Sequence, residues 1–179
     1  MLLWALAGAC LAQPVPDPDG EGRDFGVPPT FELQLVTHSG PTPREVPGAR
    51  TIRTAELRAL LARPPEERPL LFDVLGGPGH DSIPGAIWLA DAGRGSGFDD
   101  ELQRRMSRTL AFLARSDMKR PMIFFCANTQ CWLSYNAALR ALKLGYQVVG
   151  WYRGGIDAWL AAGGELAAMR MTWQRPEPK

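Results

Sequence analysis

The sequence predicts an α/β fold, a mainly parallel sheet with helices on both faces. Three observations carry that prediction. Strand-like and helix-like stretches alternate from Thr51 to Ala162. Met122–Phe125 (MIFF) is apolar at every position, the pattern of a strand covered on both sides. Two strand ends, Asp73-Val74 and Phe125-Cys126, run into loops, and ligands in such sheets sit outside the carboxyl ends of the strands.

Taken in order, Met1–Ala12 (MLLWALAGACLA) is apolar and rich in small residues. It matches the core and cleavage region of a secretory signal, though without a basic start. Cleavage after Ala12 would give a soluble exported protein, and cleavage before Cys10 a lipid-anchored one; either way a bacterial periplasm is the expected location. Residues 13–50 read as an extension. Gln13–Pro29, dense in Pro, Gly and Asp, predicts a flexible linker. The alternation in Phe31–Val36 predicts a short edge strand, and Gly40–Gly48 is a Pro-rich loop.

The domain proper is expected over 51–167, with 168–179 as a tail. Thr51-Ile52 is its first strand. Thr54 is the expected N-cap of a helix over Ala55–Arg63, with Leu57, Leu60 and Leu61 inward, ended by Pro64-Pro65. Leu70–Val74 is a buried strand. Gly76–Ser82 is a glycine-rich loop in which His80 and Asp81 predict a solvent-exposed turn. Ala86–Leu89 is a further strand. Asp99–Arg115 reads as an amphipathic helix with Leu102, Met106, Leu110 and Leu113 on one stripe and acidic residues at its start. Gln147–Gly150 is the last strand and Gly155–Ala162 the last helix, with Trp151 and Trp159 as packing residues.

A formal charge of +1 and no basic cluster beyond Arg104-Arg105 give nucleic acid nothing to bind. No apolar run approaches the roughly 20 residues of a transmembrane helix. Two cysteines alone make a poor zinc site and neither histidine has ligand spacing, so no metal is expected, and no organic cofactor.

The chemistry concentrates where Cys126 closes the MIFF strand. Ala127, Asn128, Thr129 and Gln130 form a polar loop, Cys131 ends it, and from Trp132 the apolar spacing is helical up to Gly145. The first N–H groups of a helix lack internal partners and, with the helix dipole, favour an anion in the preceding loop. A thiol with a pKa of roughly 8.5 can fall to about 3.5–7.5 in such a place. Cys126 is therefore the candidate nucleophile; the plainer reading is a buried core cysteine.

Strand, Cys, loop and helix in this arrangement resemble the active-site loop of rhodaneses, the sulfurtransferases. PLLFDV (Pro69–Val74), SIPGAIWL (Ser82–Leu89) and LGYQVVGWYRGGIDAWLAAG (Leu144–Gly163) resemble further rhodanese segments in the same order. The resemblance implies a three-layer α/β/α fold, and a supporting role for Asp73 at its strand end. Three positions depart from the family pattern. Cys131 stands where the loop Arg would fall, Leu75 replaces the Arg after Asp-Val, and Ser82 replaces the His before Ile-Pro-Gly-Ala. Arg153, before Gly154-Gly155, is the nearest candidate for a replacement cation. The Cys-Trp pair followed by Ser-Tyr-Asn-Ala-Ala resembles exported CXXCW-motif rhodanese-like proteins associated with pyrroloquinoline quinone-dependent catabolism, although here four residues separate the cysteines.

Three readings follow. In sulfur transfer, Cys126 carries a persulfide cradled by the N–H groups from Ala127 to Trp132. In dithiol–disulfide chemistry, Cys131 resolves Cys126. In the third, Cys126–Cys131 is a structural disulfide and the chain is a non-catalytic binding module accessory to a periplasmic quinone-dependent dehydrogenase system. The first two call for a small sulfur donor or thiol as partner.

Overall fold

The computed structural model describes residues 20–169. In chain order the elements are β1 (Arg50–Ile52), α1 (Thr54–Leu61), a 3-10 turn at Pro65–Glu67, β2 (Leu70–Asp73), β3 (Asp81–Ser82), β4 (Ile87–Trp88), α2 (Glu101–Leu113), β5 (Met122–Phe125), α3 (Trp132–Lys143), β6 (Val149–Tyr152), α4 (Gly155–Ala161) and β7 (Ala167–Ala168). Five strands form one sheet in the order β1-β6-β5-β2-β4, and every neighbouring pair is parallel. β3 and β7 form a separate antiparallel pair.

The sheet explains the apolar run in β5. Met122 and Phe124 pack with Met106, Leu110, Tyr135 and Ala138 on the α2/α3 side. Ile123 and Phe125 pack with Leu57, Ile156 and Trp159 on the α1/α4 side. Side chains alternate faces along a strand, so a central strand between two helical layers must be apolar throughout. The outcome is the α/β/α architecture expected from sequence.

Several boundaries move. α1 begins at Thr54, with Arg53 in the N-cap position. The Thr54 N–H is met by the Glu21 carboxylate instead, at 3.0 and 3.2 Å, and its hydroxyl donates to the same carboxylate. The last strand of the sheet is Val149–Tyr152 rather than Gln147–Gly150. Pairing runs from Met122↔Val149 to Phe125↔Tyr152, which buries Trp151 and Tyr152 and leaves Gln147 and Val148 outside.

The N-terminal segment is corrected more deeply. Phe31–Val36 forms no strand, and Phe31, Leu35 and Val36 are exposed. Its backbone is anchored to side chains of α3 at Thr30 and Gln34, while the N–H groups of Glu32 and Val36 donate to the Thr30 hydroxyl and the Gln34 amide oxygen. The Tyr135 hydroxyl accepts from the Thr30 N–H (2.8 Å) and donates to the Thr30 carbonyl (2.7 Å). The Asn136 amide accepts from the Gln34 N–H (2.9 Å) and donates to the Gln34 and Gly93 carbonyls (both 2.8 Å). A sheet edge is thus unnecessary for satisfying this backbone. The described part of the expected linker is likewise tied down through Glu21 and Arg23. Covered by the sheet, α2 and this strap, α3 is buried at every residue from Trp132 to Ala141. The secretory reading, including Cys10, and the end of the tail lie outside the described residues.

Candidate functional site

β5 delivers Cys126 to the carboxyl edge of the sheet, and Cys131 occupies the N-cap position of α3. The two are joined as a disulfide with a Cα–Cα separation of 6.2 Å, inside the roughly 4.4–6.8 Å span such a bond needs. Cys126 is 1% exposed and Cys131 8%.

The loop between them is fixed from two sides. Below, α4 docks on its carbonyls: Ile156 N–H donates to Cys126 O (3.1 Å) and Asp157 N–H to Ala127 O (2.9 Å). Gly155 makes that approach feasible. Its φ is +62° and a Cβ there would stand 2.3 Å from Cys126 O, so any side chain would be both strained and blocked. Asn128 donates to the Asp157 carboxylate at 2.8 Å. Above, the strap crosses the loop. Gly40 N–H donates to Gln130 O (2.8 Å), Thr42 donates to Thr129 O through its hydroxyl (2.7 Å), and Trp132 N–H donates to His38 O (3.0 Å). Gln130 N–H goes to Asn128 Oδ1 and Cys131 N–H to Asn128 O. The N–H groups of Gln130, Cys131 and Trp132, expected to cradle an anion, therefore already have partners within the protein.

Arg153 is not a cation presented over this loop. It is 2% exposed, and its guanidinium donates to the Thr42 hydroxyl (3.1 Å) and carbonyl (3.0 Å) and to the carbonyls of Glu21 (2.8 Å) and Arg23 (2.7 Å). It also lies over the Phe25 ring. Its contact with the cysteine loop runs through Thr42, whose hydroxyl accepts from Arg153 and donates to Thr129 O. The charge that the sequence offered to a substrate is used to fasten the strap.

Asp73, at the end of β2, is fully buried and braces the Gly76–Ser82 loop. One carboxylate oxygen accepts from Leu75 N–H (2.8 Å); the other is shared by Ser82 Oγ and His80 Nε2, the latter at 2.8 Å. His80 is correspondingly not in an exposed turn: it is partly buried, edge-on to Trp88 at 5.0 Å. Asp81 does remain exposed. Ser82 stands where the family resemblance expected His, and His80, two residues earlier, reaches the carboxylate.

Beside the disulfide lies an open cavity of about 730 Å³, walled by Cys131, Asn128, Gly76, Arg94, His38 and Val36 among others; Cys126 is not on its wall. Arg94 is paired with Asp91 at 2.6 Å. His38 Nε2 is buried and, among the described residues, has no hydrogen-bond partner. Burial, followed by the positive charge of Arg94, holds this imidazole below its ordinary pKa, with Asp91 opposing. His38 and Arg94 were missed by sequence reasoning because both sit in irregular segments with no spacing to a cysteine.

No helix among the described residues is long and apolar enough to cross a membrane. The sequence profile of the Rhodanese-like domain matches residues 54–162. A search of curated proteins found no match. Among solved structures, similarity extends to the thiosulfate sulfurtransferase from Pseudomonas aeruginosa, at 21% identity over 69% of this chain and 21% of that one, with a TM-score of 0.49. The chain thus spans about a fifth of the length of that enzyme. It extends also to the polysulfide-sulfur transferase of Wolinella succinogenes, at 17% identity over 68% and 80% of the two chains (TM-score 0.46). A third is an EanB variant with ergothioneine covalently linked to a persulfide, at 19% identity over 65% and 31% (TM-score 0.50). With α1 through α4 inside the matched span and the cysteine at the strand-to-helix turn, the chain belongs to the rhodanese-like domain family.

Proposed function

We propose that this rhodanese-like domain handles sulfur through Cys126 and Cys131 as a reversible dithiol–disulfide pair. The observation that carries the reading is the closed pair itself, lying beside an open cavity in a loop with no free cation. When reduced, the Cys126 thiolate attacks the outer sulfur of a sulfane donor, the donor's S–S bond breaks with its electron pair leaving on the donor remnant, and Cys126 holds the outer sulfur as a persulfide. Cys131 thiolate then attacks the Cys126 sulfur, forming the disulfide and releasing hydrosulfide. Without a cation in the loop, an anionic donor loses a charge-assisted contact worth about 1.5–3 kcal/mol, one to two decades in affinity, so thiosulfate and inorganic polysulfide both bind weakly and a small thiol suits the site better. The Cys-Trp-Leu-Ser-Tyr-Asn-Ala-Ala stretch further supports a place among exported CXXCW-motif proteins, with a periplasmic quinone-dependent dehydrogenase as the partner system.

Burial of both sulfurs beneath the strap favours a second reading: a binding module in which the bond is a staple. Intact mass separates the two. The protein as purified is expected two hydrogens lighter than after reduction, and polysulfide should return the reduced wild type to that lighter mass but leave the reduced Cys131→Ser variant one sulfur heavier. Cys126→Ser abolishes the gain; loading that persists in this variant removes Cys126 from the mechanism. A staple would take up no sulfur, resist reduction, and lose about 2 kcal/mol of stability when Cys131→Ser opens so short a loop.

A further inference from the structure

The two sulfurs are not equally placed. Cys131 lines the cavity and Cys126 does not, and Cys131 carries the residual exposure of the pair. At about 730 Å³ the cavity falls in the range of small-molecule sites, roughly 300–1,000 Å³. His38 lines the same wall. Its carbonyl is fixed to Trp132 N–H, and its neighbour Ser39 bridges Cys131, so the strap holds the His38 backbone beside the N-cap cysteine while both residues line the one cavity. A buried ring nitrogen without a hydrogen-bond partner is uncommon and calls for an explanation.

We infer that this cavity receives a low-molecular-weight thiol, that Cys131 Sγ is the atom it attacks, and that the His38 imidazole takes its proton. The inference rests on the proposed reversible pair and assigns the order within it. The S–H proton passes to His38. The thiol sulfur bonds to Cys131 Sγ, the Cys126–Cys131 bond breaks, and its electron pair stays on Cys126 Sγ as thiolate. One disulfide replaces another, so no outside oxidant or reductant enters. The charged groups facing His38 are Arg94 and Asp91, themselves paired, and Arg94 helps keep the ring neutral and able to accept.

The test treats the oxidised full chain with 2-mercaptoethanol, quenches with acid and a maleimide, and maps the peptides. The adduct is expected on Cys131 and the maleimide on Cys126. The opposite pattern overturns the inference while leaving the reversible pair intact; a bond that stays closed overturns both. Where ring closure outruns trapping, single-cysteine proteins decide. Cys131 in Cys126→Ala is expected to react with hydroxyethyl disulfide faster than Cys126 in Cys131→Ala, and the reverse order overturns the assignment. For His38, opening rates are divided by thiolate concentration across pH 6–8. The wild type should exceed His38→Gln by about a hundredfold, the low end of general-base effects. Equal normalised rates would remove His38, and a flat normalised profile in the wild type does the same if the variant fails to fold.

Discussion

Both ends of α3 are crowded with buried polar groups, yet they are finished differently. At the C-terminal end, Arg140 is wholly buried and its two terminal nitrogens meet Asp100, Gln103 Oε1 and the carbonyls of Gly97 and Arg94, at 2.7–3.1 Å. Only Nε lacks a partner there among the described residues. At the N-terminal end a disulfide and a crossing strap do the holding, and His38, which lines the open cavity, has a buried Nε2 with no hydrogen-bond partner among the described residues. A charge with most of its donors bonded fixes structure. A buried polar atom without a partner, beside a disulfide and a cavity, marks the end of α3 that structure alone does not account for.

The strongest way to break this contrast is Arg140→Met. It takes the guanidinium from Asp100, Gln103 Oε1 and two carbonyls, and losing one member of a buried pair costs about 3–5 kcal/mol. Urea unfolding measures it, and thiol reactivity of the folded fraction should not change. A loss of under about 1 kcal/mol would reduce the cluster to the worth of a surface pair. The two ends should also separate on titration. Burial pushes the Asp100 carboxyl up, but hydrogen bonds from Arg140, Gln103 N–H and Ser96 N–H outweigh it and hold the group at about 2, against an ordinary 3.8. Its contribution is therefore full above about pH 4 and is lost as pH falls towards 2. His38 is also depressed, which for a base means the unfolded chain binds the proton first; stability at this end starts to fall as pH drops below about 6.5. A stability–pH curve with His38→Gln and Arg140→Met should lose the near-neutral and the acid limb respectively.

What could be read from the sequence was local. The MIFF run, the two cysteines at a strand end and a helix start, and the stop at Gly145 all announce themselves within a few residues. The strap does not. Thr30 meets Tyr135 across 105 positions and Arg153 meets Thr42 across 111. No period of two or 3.6 connects such pairs, and a Pro-rich stretch looks like slack chain until a helix with Tyr135 and Asn136 is folded beneath it. The same limit hid the site: Arg153 looked free because its partners are backbone carbonyls, and His80 looked exposed because Asp73 lies behind it in space. His38 was illegible for the converse reason, being defined by a neighbour it lacks.

Thr42→Val sharpens the contrast at the strap. The substitution keeps the shape but removes the acceptor for Arg153 Nε and the donor to Thr129 O. Leaving buried partners unsatisfied costs about 1–3 kcal/mol. Because the cost falls over the cysteine loop, the reduced variant should also alkylate faster at Cys131 than the wild type. Stability lost with no change in alkylation would mean that the strap does not gate the pair.

Tyr135→Phe is the finest cut. The ring stays packed edge-on between Trp132 at 4.9 Å and Trp151 at 5.5 Å, and only the hydroxyl that both accepts from and donates to Thr30 is removed. One hydroxyl with two partly solvated backbone partners is worth about 0.5–1.5 kcal/mol. Thr30 lies eight residues upstream of His38, so the loss should loosen the strap where it enters while the His38–Trp132 contact persists. Amide exchange reads this directly: Thr30 should exchange faster, Trp132 should not, and the pH-dependence of disulfide opening should be unchanged. Faster exchange at Trp132 would show that the strap releases as one unit from Thr30 to Thr42, and that the cysteine loop depends on the Tyr135–Thr30 anchor as well as on its own contacts.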